Sequence, residues 1–141
     1  MSKKLIPTMM VLLTAILLLA TLTLIIIMNL GDKGNKKEPT IDEVVKVSVD
    51  VPEIMTNVKN GDYVKISFKV QTDGKKAMQE FKKRDFQVKN LIISELSELE
   101  PSDLDGKEGK QKLEETVKEK INSLMQNGKI VRVYITSYVI S

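Results

Sequence analysis

The feature that most constrains this chain is an uncharged, strongly apolar stretch over residues 5–30. Fifteen of its 26 residues are Leu, Ile or Val, and at the bilayer centre they contribute about 7 kcal/mol to membrane insertion. As a helix the stretch is about 39 Å long, which exceeds the hydrocarbon thickness of about 30 Å. The sequence therefore predicts one transmembrane helix, with tilting or fraying at Pro7 and Asn29 to absorb the extra length.

A cleaved signal peptide is the main alternative interpretation of this stretch. Signal peptides have a shorter apolar region, about 7–15 residues, followed by a cleavage site of small residues. No A-x-A pattern stands near Asn29, and a lipoprotein anchor would need a Cys, which the chain lacks. We therefore expect residues 5–30 to be retained as a membrane anchor.

The charges around the anchor leave its orientation open. Lys3 and Lys4 precede the stretch, whereas Lys33, Lys36 and Lys37 follow it. Because Lys and Arg mark the cytoplasmic side, this count does not favour a cytoplasmic N-terminus. Of the 22 basic residues only two precede the anchor, so 20 basic residues accompany all 19 acidic residues in the remainder. That remainder is nearly neutral, and the basic pI does not indicate nucleic-acid binding.

Four segments follow from these patterns: a short tail (residues 1–4), the transmembrane helix (5–30), a polar Gly-containing flexible tether (31–40), and one small domain (41–141). Within the domain, alternating apolar residues predict a strand over 45–51, which Pro52 ends, and a second strand over 64–70. The connection of about ten residues is long for a hairpin. We nevertheless expect the two strands to pair.

Helical spacing of apolar residues follows over 78–99, as one long helix or two short ones, because Asp85 interrupts the stripe. Ser102 is the expected N-cap of the next helix, and Asn127-Gly128 its left-handed stop. The apolar face of that helix consists of Leu113, Val117, Ile121 and Leu124.

The last strand covers residues 129–140, with Val131, Val133, Ile135 and Val139 on one side and Ile130, Tyr134, Tyr138 and Ile140 on the other. Apolar residues on both sides predict a strand that is central in the sheet or covered on both faces. The fold class is therefore α+β, with the order β-β-α-α-β after the membrane helix.

The sequence offers no catalytic, metal or cofactor site. Without His and Cys, the commonest general base and the thiolate ligands are missing. The segment 103–106, Asp-Leu-Asp-Gly, resembles part of a calcium loop, but Pro101 and Lys112 would then occupy ligand positions. The Gly106-Lys-Glu-Gly109 pattern matches the GXXG loop of KH domains, but its acidic flanks and the anchor argue against RNA binding. We expect a non-enzymatic domain.

Three segments in a fixed order carry a resemblance to a known family. They are Tyr-Val-Lys-Ile-Ser-Phe-Lys-Val (63–70), Gly-Lys-Gln-Lys-Leu-Glu-Glu-Thr-Val-Lys-Glu-Lys-Ile-Asn (109–122) and Val-Tyr-Ile-Thr-Ser-Tyr-Val-Ile (133–140). Together with the N-terminal anchor and the polar tether, they resemble the FliL family of flagellar basal body-associated membrane proteins. The family often has Phe where Ile135 and Tyr138 stand.

The resemblance implies a single-pass protein of the cytoplasmic membrane, with a cytoplasmic N-terminus and an extracytoplasmic domain. It implies a stomatin-like fold that assembles into homo-oligomeric rings beside the stator units of the flagellar motor. The implied role is to support torque and motility, with no catalytic residues, no cofactor and no small-molecule substrate.

Two other functions are alternatives for an anchored domain of this kind. One is an anchored extracytoplasmic binding or enzyme domain unrelated to flagella, which the missing catalytic constellation disfavours. The other is a pilin-like subunit, but pilins carry a Glu near the start of the apolar helix, and residues 5–30 contain no acid.

Self-association is expected through the charged outer faces of the two helical regions, because opposite charges could steer one subunit onto the next. The alternative is that these residues form an ordinary solvated surface. The candidate residues are Lys82, Lys83, Arg84, Glu114, Glu115 and Glu119.

Overall fold

The apolar stretch forms one helix, α1 (Leu5–Gly31). The computed structural model describes residues 3–31 and 37–141. The chain divides into two units, and the boundary along the sequence lies between Glu38 and Pro39. Residues 32–36, half of the predicted tether, lie outside the described residues, as do residues 1–2 of the predicted tail. The flexibility of the tether stays a prediction.

The second unit contains a three-stranded antiparallel sheet in the order β1-β2-β3, with β1 (Ser48–Asn57), β2 (Tyr63–Thr72) and β3 (Ile130–Ile140). The mixed α+β class and the pairing of the first two strands are confirmed. The remaining elements are α2 (Ile41–Lys46) before β1, then α3 (Lys75–Lys83), α4 (Asp85–Ser97), a 3₁₀ turn (Pro101–Leu104) and α5 (Gly106–Leu124) between β2 and β3. The predicted β-β-α-α-β order therefore omits α2. Of the two alternatives for residues 78–99, the structure has the two short helices, α3 and α4.

The start of the sheet differs from the prediction because a local cap overrides the alternating pattern. Thr40 N–H donates to Glu43 Oε2 at 2.8 Å, and Thr40 Oγ1 accepts the Glu43 N–H at 3.3 Å. This capping box begins α2, so Val45 lies in a helix and not in a strand. β1 then runs through Pro52, at a bulge of an edge strand where its missing N–H removes no ladder hydrogen bond.

β3 is an edge strand, and the prediction of a central or doubly covered strand is wrong. Two bulges, at Val131 and Thr136, change the side to which the following residues point. Val131 and Val139 are consequently 48% and 54% exposed. The residues paired with the inward-facing side of β2 are Ile130, Val133, Ile135, Tyr138 and Ile140, drawn from both predicted sides.

The helices cover one side of the sheet and form the core there. The inward side of β2, which carries Val64, Ile66, Phe68 and Val70, is fully buried. The predicted burial of Leu113, Val117 and Ile121 on α5 is confirmed, and Leu124 is half-buried. From α3 and α4, the buried apolar residues are Ala77, Phe81, Val88, Ile92 and Leu96.

The start of α5 explains the two glycines of the 106–109 pattern. Gly106 has φ +68°, a conformation that favours glycine. A Cβ at Gly109 would lie 2.5 Å from the carbonyl oxygen of Asp103, so the 3₁₀ turn packs directly against the helix backbone. The predicted Ser102 cap is wrong, because Ser102 lies within that turn, which Asp103 caps by accepting the Glu100 N–H at 2.8 Å. Nor does Asn127-Gly128 end α5, which stops at Leu124.

Candidate membrane anchor and interaction surface

α1 has the length and composition of a membrane-spanning helix over Leu5–Asn29, and none of this span is buried within the protein. The hydroxyls of its threonines are satisfied by the helix itself. The hydroxyl of Thr14 donates to the Val11 carbonyl and that of Thr21 to the Leu18 carbonyl, each at 2.9 Å. Because lipid offers no hydrogen-bond partners, such internal bonds suit the helix to a bilayer interior.

Within residues 3–31 and 37–141, no group of three or more His, Cys, Asp or Glu could hold a metal ion. The hydroxyls of Ser94, Ser97 and Ser123 each donate to a backbone carbonyl of their own helix. In the described part of the chain, no buried side-chain nitrogen or oxygen lacks a hydrogen-bond partner. No unsatisfied group there calls for a ligand.

The clefts of the second unit are small. A cleft between α4, the 3₁₀ turn and α5, lined by Leu99, Asp103 and Leu113, has a volume of about 150 Å³. Two others, beside Glu80 and beside Glu114, measure about 170 and 280 Å³. Ligand pockets usually measure about 300–1,000 Å³, so these clefts do not indicate a small-molecule site.

One polar network fastens α3 to the loop after α5. The side chain of Glu80 is buried, and its carboxylate accepts the backbone N–H groups of Gln126 at 2.9 Å and Asn127 at 2.6 Å. Arg84 binds the same carboxylate through Nε and Nη2, both at 2.8 Å, and donates Nη1 to Gln87. Sequence reasoning missed Glu80, for which the i,i+4 spacing to Arg84 was the only local signal.

The charge state of Glu80 follows from this network. Burial raises the pKa of the carboxyl group, but hydrogen bonds from Asn127, Arg84 and Gln126 outweigh burial and leave the pKa below its ordinary value of 4.5. A lowered carboxyl pKa stabilises the folded state above the unfolded-state pKa, and this stabilisation is lost as the pH falls through the folded-state pKa.

We therefore expect Glu80→Gln to lower the melting temperature of the protein by a few degrees at pH 7, because it removes the charge that holds Arg84 and the loop. Towards pH 3 the difference from the wild type should shrink, because the stabilisation from the Glu80 charge is lost progressively as the pH falls through the lowered folded-state pKa. Circular-dichroism melts of the detergent-solubilised chain at both pH values measure this. The exposed Glu98→Gln is the matched control and should change neither melt. An equal destabilisation at both pH values would contradict the charge argument.

The predicted basic residues lie where α3 ends. Lys82 and Lys83 are exposed, whereas Arg84 is half-buried and bound to Glu80. The guanidinium of Arg84 is thus engaged in an ion pair within the domain. The exposed basic charges at the end of α3 are those of Lys82 and Lys83.

The predicted acidic residues lie on α5. Glu115 and Glu119 are exposed, and Glu115 pairs with Lys118 at 2.7 Å. Glu114 instead accepts the N–H of Ile135 at 3.0 Å, a backbone donor on the edge strand β3. In the part of the chain that the structure describes, no ion pair joins the basic group to the acidic group. Whether either group contacts a second subunit stays a prediction.

The family comparison covers the whole of the sheet and the helices between β2 and β3. Residues 48–140 match the family model described as flagellar basal body-associated protein FliL. This range begins at the first residue of β1 and ends at the last residue of β3. A curated protein from Bacillus subtilis (strain 168), described as flagellar protein FliL, is 44% identical over 111 residues, which are 77% of this chain and 79% of that protein.

Proposed function

The chain belongs to the FliL family of flagellar basal body-associated proteins, and from this premise we propose that it is a non-enzymatic accessory of the flagellar motor. In this proposal it associates with the stator units and supports torque. The observation that carries it is the family match over residues 48–140, from the start of β1 to the end of β3, joined to a helix able to cross a membrane. Family membership sets aside the alternative of an anchored domain unrelated to flagella.

The proposed arrangement is a single-pass protein of the cytoplasmic membrane, with its N-terminus in the cytoplasm and residues 41–141 outside. The membrane crossing in this proposal is supported by the apolar composition of α1 and by the hydrogen bonds of its threonine hydroxyls within the helix. The orientation rests on the family resemblance, since the flanking lysines do not decide it. Cysteine labelling with a membrane-impermeant reagent can test it cleanly, because the chain has no native Cys.

We expect a strain that lacks this protein to swim more slowly, with the deficit growing as the medium becomes more viscous. The physical reason is that an accessory that stabilises torque-generating units matters most when the load is high. Tracking of single cells at several viscosities measures the effect, and the full-length chain should restore swimming. Unchanged swimming at every viscosity would contradict a role in torque.

Self-association is part of the same proposal. The domain should associate weakly when free and more strongly when anchored, because a shared membrane raises the effective concentration of neighbouring copies. Pairing between the edge strands of two neighbouring copies is disfavoured as the contact that joins them. β1 carries Pro52 at its bulge, and Glu114 occupies the Ile135 N–H on β3, two devices that block an edge strand. The contact in this proposal is made by exposed charged side chains, which would join neighbours in a head-to-tail ring.

Reversal of the exposed basic charges, Lys82→Glu with Lys83→Glu, is expected to reduce crosslinked oligomers in membranes. Adding Glu115→Lys and Glu119→Lys in the same chain should partly restore them, because the opposite charges again meet between subunits. Arg84 and Glu114, also predicted at this surface, are left unchanged since their substitution would disturb the Glu80 network and the β3 edge. Crosslinking yield and swimming speed are the measurements. If neither double change alters either quantity, charge steering is wrong and these residues are a solvated surface.

A further inference from the structure

α2 presents two bare apolar side chains. Ile41 is 73% exposed and Val45 is 53% exposed, and α2 has no buried residue. Their i,i+4 spacing places both on one side of the helix, next to the half-buried Val44. Lys46 points away from this side, because it follows Ile41 by five residues and a helix turns by 3.6 residues. α2 is thus amphipathic, and its apolar side is uncovered within the described unit.

This helix is held in place by local bonds. The Thr40–Glu43 capping box fixes its first turn. At its other end, Ser48 Oγ donates to the Val44 carbonyl at 2.6 Å. The Val47 carbonyl, just beyond the helix, accepts the Thr72 hydroxyl at 2.6 Å, which ties this point to β2. The exposed side of α2 is therefore a fixed surface.

The position of α2 in the chain identifies its partner. α1 ends at Gly31 and α2 begins at Ile41, and ten residues extend over at most about 35 Å. α2 is thus the first element of the folded unit after the proposed membrane anchor. Helices with one apolar side lie in the membrane interface, with that side about 5–10 Å below the surface. We infer that α2 rests on the lipid surface, with Ile41 and Val45 at the boundary between headgroups and acyl chains.

The size of the apolar side favours lipid over a protein partner. Two side chains are far less than the about 800 Å² per partner that a stable protein interface buries. A weak lipid contact suffices when an adjacent anchor already holds the helix near the bilayer. The neighbouring charges, Asp42, Glu43 and Lys46, are acidic on balance, so the contact uses apolar insertion and does not require anionic lipid. This inference rests on the membrane anchoring in the proposed function.

A single tryptophan tests the contact, because the chain contains none. The full chain carrying Ile41→Trp is reconstituted into phosphatidylcholine vesicles with plain or brominated acyl chains. We expect its emission to shift to shorter wavelength and to be quenched about twofold by the brominated chains, as for an interfacial helix. Val45→Trp should behave alike. The matched controls are Lys46→Trp, on the opposite side of the same helix, and Phe86→Trp at an exposed position of α4; both should be quenched much less.

Each other outcome overturns the inference. Solvent-like, unquenched emission from Ile41→Trp would show that α2 does not touch lipid. A shifted but unquenched emission would show that protein covers this side. Equal quenching at Ile41, Lys46 and Phe86 would mean that the contact is not specific to the apolar side of α2. A chain that does not float with the vesicles would overturn the proposed anchoring itself, and this inference with it.

Discussion

Val117→Asp is expected to unfold the domain formed by residues 39–141. Val117 has no exposed surface and lies on α5 within the core between the helices and the sheet. An unpaired buried charge costs about 3–5 kcal/mol, and the lost burial of the valine side chain adds about 2 kcal/mol. Because a domain is stable by only about 5–15 kcal/mol in total, this single change should remove most or all of the folding free energy.

The matched control is the same chemical change at an exposed valine, Val139→Asp on β3, where 54% of the residue is exposed. Residues 40–141, which we predict to fold alone, and the full chain in detergent should give the same ranking. A cooperative melt is expected for the wild type and for Val139→Asp, and none for Val117→Asp. An unchanged melting temperature for Val117→Asp would mean that this face of α5 is open to solvent.

The elements that the sequence predicted well are those in which the period of the apolar residues matches their burial over several helical turns or several strand residues. β2 alternates through Val64, Ile66, Phe68 and Val70 and lies in the middle of the sheet, so its pattern is uninterrupted. The apolar residues of α5 are likewise regularly spaced, and their period of 3.6 residues indicates a helix. Such segments need no information from distant parts of the chain.

The errors lie where one residue or one cap changes the pattern. In β3, the bulges at Val131 and Thr136 each add a residue on one strand only. Since side chains alternate with a period of two, each bulge moves all later residues to the opposite side. At the start of the domain, the Thr40–Glu43 cap favours a helix although the valines that follow alternate. The T-x-x-E signature of this cap is visible in the sequence, and the prediction of a strand did not take it into account.

The long-range contacts of Glu80 and Glu114 could not have been predicted from local sequence. Glu80, which holds Arg84, also binds Gln126 across 46 positions of the chain. Glu114 reaches Ile135 across 21 positions. Contacts of this kind form only when the helices pack against the rest of the domain. From the sequence alone, a charged residue on the polar side of a helix is therefore assigned to the solvated surface. Lys82, Lys83, Glu115 and Glu119 are exposed as expected.

Two lysines at the centre of α1, Leu17→Lys with Leu18→Lys, are expected to abolish stable insertion into the membrane. Each change replaces a residue that favours insertion by about 0.5 kcal/mol with one that opposes it by about 3 kcal/mol. The combined change of about 7 kcal/mol equals the whole contribution of the Leu, Ile and Val residues to insertion. The threonines, Pro7 and Asn29 already reduce that contribution, so little net free energy of insertion would remain.

The measurement is the distribution of the chain between pellet and supernatant after an alkaline carbonate wash of membranes. The wild type should stay in the pellet with residues 1–30 still attached, and Leu17→Ile with Leu18→Ile should behave like it because the apolar character is kept. The double-lysine chain should appear in the supernatant or be degraded, and it should fail to restore swimming because the tether no longer holds the domain at the membrane. If wild-type chains are released by the wash, or if their N-terminus is found near residue 31, α1 is not a retained anchor.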